Sequence, residues 1–200
     1  MKTIAHPLQS IVARAAGTLP ATTGVVAPYA ERQRRLDTGS GTTVLADVSS
    51  SMEERAWGGM TKHALLRDAI AGVMRPGVTI LAFSAGAYPV SRIEDLPEPH
   101  GNTALHRAIE QAASQHPARM LIVSDGHPDD EEKARSAAQA FPGVIDVLYI
   151  GPDSDKGAIA FLSALAKGHG GRYRACDVRS AVARPLLLEV TTMLQLEAPR

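Results

Sequence analysis

The feature that most constrains this chain is a regular alternation of apolar runs with amphipathic stretches, which begins at Thr42. Buried strands are predicted at 42–46, 78–83, 119–124, 144–150 and 172–176. Helices are predicted at 61–74, 103–115, 131–141, 156–167 and 180–196. Because apolar strands separated by helices are typical of parallel sheets buried on both faces, we predict an α/β fold. Its central sheet should be doubly wound and mostly parallel, with helices on both faces.

One further apolar run, at 87–93, follows the second strand closely and contains Pro89. Proline lacks the amide hydrogen that a central strand needs, but an edge strand tolerates it. We therefore predict a hairpin that adds one antiparallel edge strand to the sheet.

The first 41 residues differ from the rest of the chain. They contain Pro7, Pro20 and Pro28 and the basic run at 32–35, with little regular periodicity. Residues 1–41 are therefore predicted to form a partly irregular N-terminal arm, and residues 42–200 a single domain.

Composition excludes several classes of function. The chain has 21 Lys and Arg residues and 21 Asp and Glu residues, so it lacks the basic excess of a nucleic-acid-binding protein. Its single cysteine, Cys176, excludes an internal disulfide and a Cys-rich structural zinc site. No stretch approaches the roughly 20 apolar residues of a membrane span, and no signal-peptide core is present. We expect a cytoplasmic protein with no nucleic-acid or membrane partner.

Polar residues follow the predicted strands at the points where a ligand site is expected. Asp47, Ser49 and Ser51 come after the first strand, and Asp125 follows the strand at 119–124. Thr103 begins the helix after the hairpin. Because the carboxyl ends of parallel strands share one edge of a sheet, these side chains should lie close together. Oxygen ligands suit Mg²⁺, with Mn²⁺ or Ca²⁺ as alternatives, whereas the histidines are too scattered for zinc.

The motif Asp47-x-Ser49-x-Ser51, together with Thr103 and the sequence Ser-Asp-Gly around Asp125, resembles the von Willebrand factor A (vWA) domain. The resemblance covers 42–196 and implies a Rossmann-like fold with a metal-ion-dependent adhesion site (MIDAS). It implies that the Ser and Thr hydroxyls contact the metal, while the two Asp side chains hold it directly or through water. Two positions depart from the family, since Ser50 and Asn102 stand where glycine is common. Neither change removes a ligand oxygen.

The resemblance also implies a function. In the vWA family the ion keeps an open coordination position, which an Asp or Glu of a partner protein fills. We therefore expect a free-standing, intracellular, bacterial-type adaptor of a multi-protein assembly, and not an enzyme. Family settings include AAA ATPases of the MoxR type and kinase–phosphatase stress modules. Replacing Asp47, Thr103 or Asp125 by Ala is expected to weaken divalent-ion binding and leave the fold intact.

Several neighbours of the motif are predicted to form the rim that a partner contacts. All of them lie within a few residues of the three predicted site loops, and they are Glu53, Glu54, Trp57, His100 and His127. Trp57 has core packing as an equal alternative, and His127 has a solvated loop position as an alternative.

Two other functions are compatible with the same residues. A metal-dependent hydrolase of phosphoesters would use the same Asp, Ser and Thr side chains, and a scaffold protein would bind no metal. The chain has neither a Gly-x-Ser-x-Gly nucleophile motif nor a glycine-rich nucleotide-binding motif after a strand. These absences favour a binding role over catalysis.

Overall fold

The computed structural model of the protein describes residues 41–179 and 186–195. The predicted arm at 1–41 falls outside these residues, apart from Gly41, and so does the start of the predicted last helix. The strands are β1 Thr42–Asp47, β2 Val78–Phe83, β3 Ala87–Val90, β4 Arg119–Ser124, β5 Val144–Tyr149 and β6 Tyr173–Ala175. The α-helices are α1 Lys62–Val73, α2 Leu105–Ala113, α3 Glu131–Ala140, α4 Lys156–Gly168 and α5 Leu186–Gln195.

The six strands form one sheet in the order β3-β2-β1-β4-β5-β6. All neighbouring strands pair in parallel except β3, which pairs antiparallel with β2 at the edge. The predicted α/β class, with a doubly wound, mostly parallel sheet and one antiparallel edge strand, is confirmed. The arrangement is consistent with a Rossmann-like fold.

The strand order places a topological switch point between β1 and β4. From β1 the chain moves outward to β2 and β3, and it then returns to the other side of β1 to form β4. Ala46 lies opposite Val123 near the carboxyl ends of these two strands. In open α/β sheets this crevice is the usual place for a ligand.

Two apolar layers hold the sheet between its helices. On β1, Val44 and Ala46 pack into the layer that contains α1 and α5, whereas Leu45 packs into the layer with α2, α3 and α4. This alternation follows from the two-residue period of a strand. Both faces are therefore buried, which explains why the strands read as continuous apolar runs.

Side-chain caps fix where three of the helices begin. The Thr61 hydroxyl accepts a hydrogen bond from the Ala64 amide at the start of α1. Asp130 and Asp155 do the same at the starts of α3 and α4. Each cap satisfies an amide that has no partner within its helix. In the described part of the chain, none of the helices combines the length and apolar character that a membrane span requires.

Candidate metal centre

Three loops meet at the carboxyl edge of the sheet, beside the switch point. The amide and the hydroxyl of Ser50, in the loop after β1, both donate to the Gly101 carbonyl, at 3.1 and 2.9 Å. The Thr103 amide donates to the Asp129 carboxylate in the loop after β4, at 3.0 Å. Hydrogen bonds therefore connect all three loops that the sequence singled out.

Asp47, the last residue of β1, is completely buried at this edge. Its Oδ2 accepts a hydrogen bond from the Ser124 hydroxyl at 2.6 Å, and its Oδ1 accepts one from the Ser49 amide at 2.9 Å. Both donors are uncharged. Burial, followed by the nearby charge of Asp125, raises the pKa of the Asp47 carboxyl to about 6.

Ser49 and Ser51 present two hydroxyls side by side, with their Oγ atoms 3.1 Å apart. The Ser51 hydroxyl donates to Oδ1 of Asp125 at 2.7 Å. Since a hydroxyl has only one hydrogen, the bond between the two serines must be donated by Ser49. Both oxygens therefore retain lone pairs, which a cation that prefers oxygen ligands could use.

Lys62, the first residue of α1, also reaches this site. Its Nζ lies 2.6 Å from Oδ2 of Asp125 and 2.7 Å from Oε2 of Glu54. Only 2% of the Lys62 side chain is exposed. Burial alone would lower the pKa of Lys62, but the contacts with Asp125 and Glu54 outweigh it and raise the pKa above its usual value. The ammonium is therefore a permanent charge of the site.

Thr103 lies at the same edge and is held there through its backbone. Its amide donates to the Asp129 carboxylate, and its carbonyl accepts from the Asp129 amide, both at 3.0 Å. No hydrogen bond joins the Thr103 hydroxyl to any residue within 41–179 or 186–195. Its side chain is half-buried. The structure thus places Thr103 on a loop that is hydrogen-bonded to the loop after β4, and its hydroxyl has no hydrogen-bond partner among the described residues.

The predicted rim residues after β1 have different surroundings. Glu53 is exposed. Trp57 lies in a short 3-10 turn with 62% of its surface exposed, so the core-packing alternative for this residue is wrong. The Glu54 carboxylate contacts the buried Lys62 ammonium, although the Glu54 side chain itself is largely exposed.

The two predicted rim histidines are held by neighbouring groups. His100 Nδ1 lies 2.8 Å from the Glu98 carbonyl, so it must carry a hydrogen, and Nε2 of the neutral ring then accepts from the Ser84 hydroxyl at 3.0 Å. His127 lies between the carboxylates of Glu131 and Asp155, at 3.2 and 3.5 Å. Both rings are exposed in part.

The donor set fits a hard divalent cation. Two adjacent hydroxyls lie between two carboxylates, and all the nearby acceptors are oxygen atoms. Within the described residues, no three His, Cys, Asp or Glu side chains are grouped so that they could hold a metal by themselves. Hydroxyl ligands would therefore be essential for a metal here. Ser49, Ser51, Asp47 and Asp125 are the residues positioned to provide or orient the oxygens.

Two residues of the candidate site were missed in the sequence. Lys62 had a recognisable signal, because it shares helical spacing with the buried Leu66, Ile70 and Val73, so a charge stands on the buried face of α1. Such a residue needs a buried partner of opposite charge. Ser124 had no comparable signal, since its role depends on a loop distant in the sequence.

The geometry of the site is the main guide to what it does. Comparison of the chain with protein-family models gives no match, and neither does comparison with curated proteins. An interpretation of the site therefore depends on its own residues and on the sequence pattern that carries them.

Proposed function

We propose that the protein is a vWA-type domain whose MIDAS binds Mg²⁺ and uses the ion to hold an acidic residue of a protein partner. The observation that carries this proposal is the hydroxyl pair of Ser49 and Ser51, which is hydrogen-bonded to Asp125. Asp47 lies beside the pair and is fixed by Ser124 and the Ser49 amide. Hydrogen bonds to the two carboxylates thus hold the two serines side by side at the carboxyl edge of the sheet.

The charge of the ligands explains why such a site would bind a partner. Ser49, Ser51 and Thr103 would offer the ion only neutral oxygens. Asp47 and Asp125 would interact with it from the buried side of the site. When bound, Mg²⁺ supplies a positive charge that favours oxygen ligands. An ion with mostly neutral protein ligands retains much of its charge and attracts a further carboxylate. An Asp or Glu on the partner meets this requirement.

Exposed residues near the site would complete the contact. Trp57 is a large, exposed aromatic side chain, and aromatic residues are frequent energetic anchors of interfaces. Glu53 is exposed close to it and would influence the choice of partner through charge. The proposed setting is a bacterial, cytoplasmic assembly in which the domain acts as an adaptor. AAA ATPases of the MoxR type and kinase–phosphatase stress modules are the proposed kinds of assembly.

A binding role has more support than phosphoester hydrolysis. Asp47 is the carboxylate placed like the nucleophile of a phosphatase, directly after the first strand. It is completely buried, and both of its oxygens accept hydrogen bonds. A nucleophile must reach its substrate, whereas the Asp47 carboxylate is shielded from solvent. We therefore propose that no bond is cleaved at this site.

A peptide-display selection against the immobilised protein in Mg²⁺ tests the proposal. Enriched peptides should share an Asp or Glu, and their binding should disappear in EDTA and in the double variant Ser49→Ala/Ser51→Ala. Changing the shared carboxylate to an amide should weaken binding by roughly 2–5 kcal/mol. Ser114→Ala is the matched control, because within the described part of the chain its exposed hydroxyl bonds only locally, to the Gln111 carbonyl. Peptides that bind equally well in EDTA would contradict the proposal.

A further inference from the structure

Lys62 occupies an unusual position for a lysine. It is the first residue of the twelve-residue helix α1, where the helix dipole disfavours a positive charge. Its side chain is also almost completely buried, which strongly disfavours an ammonium group unless it is paired. Two unfavourable conditions therefore coincide at one residue. They are offset by the contacts that the ammonium makes with carboxylates.

The Asp125 carboxylate accepts hydrogen bonds on both of its oxygens. Oδ2 of Asp125 accepts from Lys62 at 2.6 Å, and Oδ1 accepts from Ser51 at 2.7 Å. Both oxygens of this carboxylate are thus engaged without a metal ion. The loop carrying Asp125 is held in place by groups of the protein itself.

Glu54 gives the same ammonium a second partner, at 2.7 Å. Its side chain is 58% exposed, in contrast to the buried Asp125. The backbone reinforces the arrangement, because the Lys62 amide donates to the Glu54 carbonyl at 3.0 Å. Lys62 therefore remains beside Glu54 even if its contact with Asp125 is lost.

We propose that Lys62 sets the metal affinity of the site, because its ammonium is a built-in cation with which the divalent ion competes for Asp125. In the metal-free protein Lys62 neutralises Asp125 and keeps the site formed. When the ion binds, Asp125 shifts its interaction toward the ion, and Glu54 retains the ammonium. The inference depends on the proposed metal site and adds the residue that regulates its occupancy.

Lys62 also affects the interaction between the two buried carboxylates of the site. Asp47 and Asp125 would repel each other at this edge if no positive charge were present. One ammonium relieves part of this repulsion, and it competes with a divalent ion for Asp125. The affinity for the ion is consequently lower than two free carboxylates would give. Occupancy then depends on a partner whose carboxylate adds to the ligands of the ion.

Calorimetric titration of Mn²⁺ into the complete chain and its variants tests the proposal. Lys62→Met keeps a long side chain and removes the charge, so Mn²⁺ should bind roughly tenfold more tightly or better. Glu54→Gln should act in the opposite direction and weaken Mn²⁺ binding about threefold or more, because Lys62 then interacts with Asp125 alone. Lys167→Met is the control, since this exposed lysine lies near the end of α4, and its affinity should match the wild type.

The possible outcomes separate this inference from the proposed function. If the wild type binds Mn²⁺ and Lys62→Met binds it equally or more weakly, the role of Lys62 is refuted and the metal site stands. If neither protein binds Mn²⁺, the metal site itself is refuted, and the inference with it. If only Lys62→Met binds Mn²⁺, competition between Lys62 and the ion is supported, but metal binding by the wild type, and with it the proposed function, is contradicted. Should Lys62→Met not fold, Lys62→Gln applies the same test, because its amide still donates a hydrogen bond to Asp125.

Discussion

Two buried carboxylate clusters lie in the same sheet, one toward the carboxyl ends of the parallel strands and one toward their amino ends. They differ in how the carboxylate charge is balanced by positive groups. The carboxyl-edge cluster consists of Asp47 and Asp125 with the serines and a single ammonium, Lys62. The amino-edge cluster consists of Asp146 on β5 with two guanidinium groups, Arg119 and Arg172, at 2.6 and 2.8 Å. In the first cluster the carboxylates outnumber the ammonium group, whereas in the second two guanidinium groups contact one carboxylate.

The pKa values follow this difference. The pKa of Asp47 is raised to about 6 by burial and by the charge of Asp125. Burial would also raise the pKa of Asp146, but hydrogen bonds from Arg172 and Arg119 outweigh it and hold the pKa below its usual range. Asp146 is therefore satisfied in the folded protein, whereas the carboxyl edge still lacks positive charge. The proposed cation site and the structural ion cluster thus differ in their charge balance.

The amino-edge cluster has a clear structural task. Arg172 donates through Nη2 both to Asp146 and to the Met193 carbonyl of α5, at 2.8 and 2.7 Å. Arg174 pairs with Glu189 of the same helix at 3.0 Å. These contacts attach α5 to the sheet, so the amino-edge cluster contributes to stability, while the carboxyl-edge cluster is the proposed metal site.

The largest expected effect comes from breaking the carboxyl-edge cluster at Asp125. Asp125→Ala removes the buried partner of Lys62 and should destabilise the protein by about 3–5 kcal/mol. Urea denaturation in EDTA measures this loss. The double variant Asp125→Ala/Lys62→Met should recover much of the stability, because no buried ammonium then remains with only the exposed Glu54 as its partner. Equal destabilisation of the single and double variants would show that Lys62 does not depend on Asp125.

A smaller effect is expected at the amino edge. Asp146→Ala leaves two guanidinium groups without this partner, but both are partly exposed and can be hydrated, so a loss of about 2 kcal/mol is expected. Urea denaturation should show the loss, and hydrogen exchange should increase in α5, which Arg172 helps to hold. Asp146→Asn keeps one acceptor and should be milder. A loss of stability greater than that of Asp125→Ala would show that the amino-edge cluster contributes more to stability than the carboxyl-edge cluster.

The smallest expected effect is a dependence of stability on pH at Asp47. Because its pKa is raised from 3.8 to about 6, the folded state holds this proton more tightly than the unfolded state. In EDTA, the stability that Asp47 contributes should therefore rise by about 1 kcal/mol as the pH falls from 7 to 5. Asp146, with its lowered pKa, acts in the opposite direction and loses its contribution only at lower pH.

Comparison of the wild type with Asp47→Asn at both pH values isolates the effect of this carboxyl. Urea denaturation of the variant should lack the extra gain in stability at pH 5. An equal gain in stability in both proteins would show that another group is responsible and that the pKa of Asp47 is not raised in the folded protein.

Much of the fold was predictable because the sequence itself carries the pattern of burial. The strands at 78–83 and 119–124 were predicted with the observed bounds, since each is a continuous apolar run between polar residues. Helix α2 was predicted two residues too long at each end. Thr103 and its successor lie outside the helix because the Thr103 backbone bonds to the loop at Asp129, a contact between distant segments.

The position of the candidate site was also predictable from the sequence. The convergence of the loops at Gly101, Thr103 and Asp125 follows from parallel strands ending at one edge. The role of Lys62 could not be assigned, because its contact with Asp125 joins α1 to the loop after β4. The sequence does not show how these two elements pack against each other. The expectation that Asp125 could be replaced without affecting the fold did not take this buried lysine into account.

The central claim is that the hydroxyl pair at the carboxyl edge binds a divalent ion. Calorimetric titration of Mn²⁺ into the wild type and into Ser49→Ala/Ser51→Ala tests it most directly. We predict one binding site per chain in the wild type and none in the variant, with unchanged circular dichroism. Absence of Mn²⁺ binding by the wild type, or equal affinity in the variant, would contradict the account.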